Sequence, residues 1–211
     1  MPTEYKQAQD NMINTTDNKN THNGHAFVDL GLPSGLLWAT CNVGADSPEK
    51  AGLYFAWGET TGFTAEQVKR GKRKFGWNVY HEGGASSISA FLSLDLDAAH
   101  VNMGGKWRMP TITEIRELME KCDSVWTADY NGTGVKGLVV TSKTNGNYIF
   151  LPAAGVGYVS SIYDVNGYGN YSSSTGDNDM YFLAMYFHKK ALFVNSEPRY
   201  FGFSVRGVCE R

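Results

Sequence analysis

Between Tyr158 and Phe203 the chain places seven Tyr and five Phe on a background of Gly, Ser, Asn and Asp, with no Trp and no Cys. The chemistry such a stretch offers is recognition rather than bond-making. A Tyr ring gives a large, rigid, amphipathic contact at low entropy cost, and Ser, Gly and Asn give adaptable polar contacts; antibody paratopes share this composition. The competing reading is the aromatic-rich core of a small β domain, since aromatics favour strands for packing reasons alone.

Other reactive residues are present without a reactive spacing. His100, His188 and many Ser supply parts of a hydrolytic triad, but no G-x-S-x-G elbow occurs, and both histidines read as surface residues. Cys41, Cys122 and Cys209 are an odd number, far apart and without a C-x-x-C pair, so they read as free thiols. No catalytic residue, metal ligand or cofactor is assigned.

The elements that must position the aromatic stretch come from a chain of 211 residues, long enough for one domain or one domain with a tail. At that size folding buries roughly 70% of the unfolded surface, so neither metal nor disulfide is required. A net charge of -2 with mixed signs makes no electrostatic case for nucleic acid or an anionic membrane. Lys69, Arg70, Lys72, Arg73 and Lys74 form one isolated basic run, which reads as a solvated loop or helix face. No apolar run approaches a membrane span. No signal peptide is visible in the polar first 25 residues. That leaves a chain made in the cytoplasm, as a phage structural protein is, or one that has lost its leader.

Residues 1–24 read as a flexible N-terminal arm, and order is expected from His25. Residues 26–45 alternate apolar and polar around Pro33-Ser34-Gly35, which gives a strand, a turn and a second strand from Leu36 to Val43. Ser47-Pro48-Glu49 suits the start of one helical turn. The clearest helix is Thr111 to Cys122. Thr111 with Glu114 makes a capping box, and Ile112, Ile115, Leu118, Met119 and Cys122 line one face. A hairpin is expected between 137–141 and 147–151, with Asn-Gly near its tip. Met180 to His188 reads as a strand with Tyr181, Leu183, Met185 and Phe187 on one face and Phe182, Ala184, Tyr186 and His188 on the other. Both faces are apolar or aromatic, so the second is either covered or used. Ala191 to Asn195 and Phe203 to Val208 read as further short strands.

Residues 25–60 (HAFVDLGLPSGLLWATCNVGADSPEKAGLYFAWGET), 104–119 (GGKWRMPTITEIRELM), LPAAG at 151–155, YSSST at 171–175 and GFSVRGV at 202–208 resemble a lectin-like domain of gut Bacteroidetes and their phages. The resemblance covers about residues 25 to 209. It implies an α+β, C-type-lectin-like fold of the formylglycine-generating-enzyme type, with small antiparallel sheets, one or two helices and long loops. Within it, residues 156–206 resemble the variable region of a diversity-generating retroelement protein, in which template adenines are mutated and copied into the 3′ end of the gene. Ser161, Ile162, Val165, Gly169, Asn170, Tyr171, Ser173, Ser174 and Thr175 match the fixed frame of that pattern. Ser172 departs from it, standing where the pattern has Trp.

The resemblance implies variable, ligand-binding positions at Tyr163, Asp164, Tyr168, Phe182, Ala184, Tyr186, His188, Phe193, Asn195, Ser196, Tyr200, Phe201 and Phe203. Met185, Lys189, Lys190 and Glu197 are not products of such mutagenesis and read as fixed. The implied function is a non-enzymatic binder of a protein or glycan receptor on a bacterial surface, carried on a phage tail structure or displayed on a bacterial cell. A homo-oligomer is implied as well, without nucleic acid or membrane insertion. The alternative is a carbohydrate-binding or adhesin module of the same fold with fixed specificity. Formylglycine chemistry is excluded because it needs reactive cysteine, and residues 123–208 contain none. Asp177, Asn178, Asp179 and Glu197 could offer oxygens to calcium, but Glu197-Pro198-Arg199 stands where the sugar-binding lectins have Glu-Pro-Asn. An arginine there opposes a cation, so these residues read as a polar loop.

Overall fold

The computed structural model describes residues 20–82 and 90–211. It is a mixed α+β protein in which antiparallel sheets dominate and the helices are few and short. Five short strands form one sheet: β1 (Thr21–His22), β2 (His25–Asp29), β3 (Leu37–Ala39), β13 (Val208–Cys209) and β4 (Trp107–Arg108), in that spatial order. The two ends of the described chain therefore meet in it. A second sheet is β5 (Cys122–Thr127), β6 (Gly137–Ser142) and β7 (Tyr148–Pro152). A third is β10 (Tyr168–Gly176), β11 (Tyr181–His188) and β12 (Ala191–Pro198). A hairpin of β8 (Val156–Tyr158) and β9 (Ser161–Tyr163) stands apart. The helices are α1 (Ala65–Lys69), α2 (Trp77–Glu82), α3 (Ala98–Met103) and α4 (Ile112–Lys121). Among the described residues no helix is long and apolar enough to cross a membrane.

The helix α4 forms where its capping box requires. Thr111 Oγ1 accepts from the Glu114 N–H at 3.3 Å, and Glu114 Oε2 accepts from the Thr111 N–H at 2.7 Å. Arg108 then grips the same carboxylate with both terminal nitrogens, at 2.8 and 2.7 Å. The apolar face carries Ile112, Ile115 and Leu118 into a core with Leu138, Val140, Ile149 and Leu151 of the second sheet and Tyr171, Met185 and Phe187 of the third. One helix thus holds two sheets together. A second core, around Trp107, Met103, Phe55 and Val205, lies under the first sheet.

Four expectations need correction. The arm is shorter than 1–24: residues 1–19 lie outside the described residues, but Thr21–His22 is already paired with β2. Asn23 and Gly24 both have positive φ, the requirement of a tight hairpin turn. The Trp107 indole N–H donates to the His22 carbonyl at 2.8 Å. The strand expected over Leu36 to Val43 stops at Ala39, because the carbonyls of Ala39 and Thr40 turn to the Arg206 guanidinium instead of a neighbouring strand. Ser47-Pro48-Glu49 forms no helix; the Ser47 hydroxyl donates to Glu49 at 2.6 Å across a turn. The strand expected over Phe203 to Val208 is reduced to isolated bridges, Phe203 to Phe55 and Ser204 to Tyr171, followed by Val208–Cys209.

Burial alone would raise the Glu114 carboxyl, but the bonds from Arg108 and the Thr111 N–H outweigh it and hold it below the ordinary value. A depressed carboxyl contributes stability that is present at neutral pH and is lost as pH falls through its folded pKa. Glu114→Gln is therefore expected to lose about 1–2 kcal/mol in urea unfolding at neutral pH. The gap to the native protein should close below the usual carboxylate range; a gap independent of pH would contradict this account.

Candidate ligand-binding surface

The third sheet decides where the aromatic stretch goes. Its register pairs Tyr168 with His188, Asn170 with Tyr186 and Ser172 with Ala184. Across the other edge of β11, Phe182 meets Glu197, Ala184 meets Asn195 and Tyr186 meets Phe193. These side chains share one face, because neighbours directly opposite in a ladder point the same way. The other face bears Tyr171, Leu183, Met185, Phe187, Leu192 and Val194 and packs on the core beneath α4. The alternation read in Met180 to His188 is thus present, and the second face is both covered and open.

One half of that second face is sealed. Trp57 stacks on Phe182 with ring centres 5.9 Å apart, and Phe203 meets Phe182 edge-on at 5.4 Å. Trp57, Phe182, Ala184 and Phe203 are all buried as one cluster. The Trp57 indole N–H donates to the Ser173 carbonyl at 2.9 Å. Arg199, also buried, lies over the Trp57 ring at 4.3 Å and hydrogen-bonds Tyr80, and its Nε donates to the Tyr181 carbonyl at 3.3 Å. Phe182, Ala184 and Phe203 were expected among the ligand-binding positions. They cannot contact a ligand from this cluster, because Trp57 and the chain after Arg199 cover them; these three assignments are corrected to core residues.

The other half is open. Tyr168, Tyr186, His188 and Phe193 form a continuous ring group: Tyr168 lies 5.4 Å from both Tyr186 and His188, and Tyr186 lies 4.8 Å from Phe193. Phe193 and Asn195 are exposed, while Tyr168, Tyr186 and His188 are half-buried. The Tyr186 hydroxyl is pushed up to about 12 by partial burial, then by the neighbouring Tyr168, Asp164 and Glu197. It therefore stays protonated and can donate. Burial also raises the Glu197 carboxyl, partly offset by the Asn195 amide that donates to it at 2.9 Å. Ser196 is exposed and donates to Asp177 at 2.7 Å.

A second ring group borders the sealed cluster from the other side. Tyr158 lies 5.1 Å from Phe201 and 6.5 Å from Tyr163, and Phe201 lies 5.0 Å from Tyr200. Tyr163 is 48% exposed and Tyr158 43%, so both rings face solvent. Asp164, exposed at φ +60°, follows Tyr163 in a turn whose carbonyl accepts from the N–H groups of Gly167 and Tyr168. Two rings in this group were not anticipated. Tyr158 lies within residues 156–206 but is not among the expected ligand-binding positions. Trp77, 38% exposed and 6.2 Å from Tyr200, lies far from the stretch in the chain, and no sequence signal places it here.

The backbone beneath these rings is tightly held. Gly157 and Gly202 exchange N–H···O bonds of 2.7 and 2.8 Å directly over the Phe75 ring. A Cβ at either position would come within 2.5 Å of that ring, so only glycine allows the approach. Phe75 and Val159 likewise exchange two 2.7 Å bonds, which clamp the tip of the β8–β9 hairpin. Val159 has φ +52°, a left-handed conformation that a β-branched residue adopts only under strain.

The residues weighed for other chemistry lie elsewhere or are otherwise engaged. His100 Nδ1 stands 3.0 Å from the Trp107 carbonyl, and Asp97 beside it accepts from the N–H groups of His100 and Met109. His188 Nδ1 accepts from the Lys190 N–H at 3.3 Å. Asp177, Asn178 and Asp179 are exposed at the strand ends, and Glu197 lies on the covered half of the sheet face. Among the described residues no group of three or more His, Cys, Asp or Glu is arranged to hold a metal ion. Cys41, Cys122 and Cys209 are free thiols, and burial pushes Cys122 up to about 11. No protein-family model, curated protein or solved structure matches the chain.

The strain at Val159 is testable. Val159→Gly is expected to raise stability by about 1 kcal/mol, the left-handed penalty less the entropy that glycine brings. That corresponds to about 2–4 °C in Tm for a chain of this size. A loss of stability would show that the Val159 side chain contributes more than its backbone costs.

Proposed function

We propose that this chain is a non-enzymatic ligand-binding protein of the C-type-lectin-like family it resembles, and that its hypervariable binding face is the surface built by residues 156–206, diversified by a retroelement. The observation that carries the reading is a juxtaposition. Tyr163, Tyr168, Tyr186, His188, Phe193, Tyr200 and Phe201 come from the hairpin, three strands and the turn after β12. Their rings border one sealed cluster, with Tyr163 and Phe193 exposed and the others half-buried. Asp164, Asn195 and Ser196 add polar groups. Aromatic anchors with a polar rim are the usual anatomy of a protein recognition site. Hydrogen bonds and glycine contacts fix the backbone, so the side chains can change while the frame stays.

The ligand is a receptor on a bacterial surface, met from a phage tail structure or from a neighbouring cell. A homo-oligomer would multiply a weak single-site affinity by orders of magnitude.

A second reading is a carbohydrate-binding or adhesin module of fixed specificity. The burial of Phe182, Ala184 and Phe203 favours it, because random change at those positions would strike the core. Retroelement diversification then requires that these three be frame residues, with the changing codons confined to the exposed ones.

The nucleotide sequence separates the readings. A near-repeat of the 3′ end of the gene, differing almost only at adenines in codons for positions outside the sealed cluster such as 163, 164, 168, 186, 188, 193 and 195, is the expected result. Its absence, or adenine changes falling mainly on codons 182, 184 and 203, would leave the fixed-specificity module.

A further inference from the structure

The basic run of residues 69–74 lies outside the 156–206 stretch, yet the fold brings it to the same surface. The helix α1 packs against β9, the strand that carries Tyr163. Beyond α1, Phe75 is fully buried and clamps Val159 through two backbone bonds. With Phe75 pointing inward in an extended pairing, its neighbour Lys74 points outward. Of the five cations, Arg70 pairs with Glu66, and Arg73 pairs with Glu59 and sits over the Phe75 ring. Lys69, Lys72 and Lys74 are exposed and make no ion pair with the described residues. Lys74 adjoins Phe75, which pairs with Val159, the neighbour of Tyr158, and the exposed rings of Tyr163, Tyr158 and Trp77 are linked through Phe201 and Tyr200.

We infer that this end of the surface binds an acidic glycan, its sugar rings on Tyr158, Tyr163 and Trp77 and its carboxylate or sulfate groups on Lys69, Lys72 and Lys74. The inference deepens the binding-surface reading above and rests on it. Charge complementarity chooses an anion: three uncompensated ammonium groups make a local positive field in a chain of net charge -2. The rings choose among anions. An acidic peptide brings carboxylates but little apolar surface to cover three exposed rings. An acidic sugar repeat presents an apolar ring face and a charge in the same short length. A single-stranded nucleic acid brings stacking bases, but its unbroken phosphate backbone would run past the exposed carboxylate of Asp164, which follows Tyr163 in the chain.

The test is titration of the full chain with hyaluronate and chondroitin sulfate oligosaccharides, in which charged and neutral sugars alternate. Chitin oligosaccharides, polyglutamate and oligo-dT serve as comparisons. Saturable binding of an acidic glycan is expected, weakened at least tenfold by the triple variant Lys69→Glu, Lys72→Glu, Lys74→Glu and by Tyr158→Ala, with the chitin oligosaccharides inactive. These positions are exposed, so unchanged thermal unfolding will certify the folded state of each variant. No binding of either acidic glycan, equal binding of polyglutamate or oligo-dT, or an unaffected triple variant would overturn the inference. If the triple variant still binds whole host cells normally while Tyr186→Ala does not, the acidic-glycan inference falls and the wider binding-surface reading stands.

Discussion

Arg206 is a buried guanidinium with no carboxylate beside it among the described residues, and the rest of the structure is arranged to satisfy it. Its Nε donates to the Asn42 side chain at 3.0 Å. One Nη donates to the carbonyls of Ala39 and Thr40, and the other to the carbonyl of Phe150. Desolvation lowers its proton affinity, yet a guanidinium does not deprotonate in a protein, so the charge must be met by dipoles. Leaving such a group buried and unmet costs several kcal/mol. The partners come from segments 56 and 164 to 167 residues away in the chain. One side chain thus ties the end of β3, the middle of β7 and the last segment of the domain together. The network extends outward, since Asn42 also donates to the Tyr171 hydroxyl, which donates to the Pro152 carbonyl. Tyr171 sits in β10, so the sheet that carries the aromatic face is anchored to the same point.

That anchoring explains how a surface rich in loops holds its rings in place. Gly157 and Gly202 lie against Phe75, Val159 is clamped by its backbone, and Trp57 plugs the sheet by bonding Ser173. Rings presented from such a frame lose little further entropy on binding, which favours affinity without a deep pocket. The surface is also electrically divided. The charges of Asp164 and Glu197 act on the Tyr186 hydroxyl at one end, while Lys74 adjoins Phe75, which pairs with Val159 at the hairpin tip. A ligand meeting both ends meets opposite fields, which gives specificity through orientation as well as contact.

What the sequence made legible were the features fixed by near neighbours. Thr111 with Glu114 announced α4, and period-two alternation announced β11 and its two faces. Asn23-Gly24 is an equally local turn signal, but the polar composition of residues 1–24 masks it, so the arm reads longer than it is. The fate of the second face of β11 was not legible. It depends on Trp57, Phe203 and Arg199 arriving from distant segments, and residue type alone does not separate Phe182, which is sealed, from Phe193, which is exposed. The shortening of β3 was hidden for the same reason, because it follows from Arg206. The place of the basic run was hidden too, because it depends on the pairing of Phe75 with Val159 and on the packing of α1 against β9.

The most direct test of a fixed frame bearing a replaceable surface is a saturation scan of residues 156–206 on a display platform, scored for folding by protease resistance. The account predicts that positions 163, 164, 168, 186, 188, 193, 195 and 196 accept polar and charged residues with little loss. It predicts that Phe182, Ala184, Phe203, Gly157, Gly202 and Arg206 accept almost none. If the exposed rings proved as intolerant as Phe182, they would be structural, and the claim that this face is built for recognition would be contradicted.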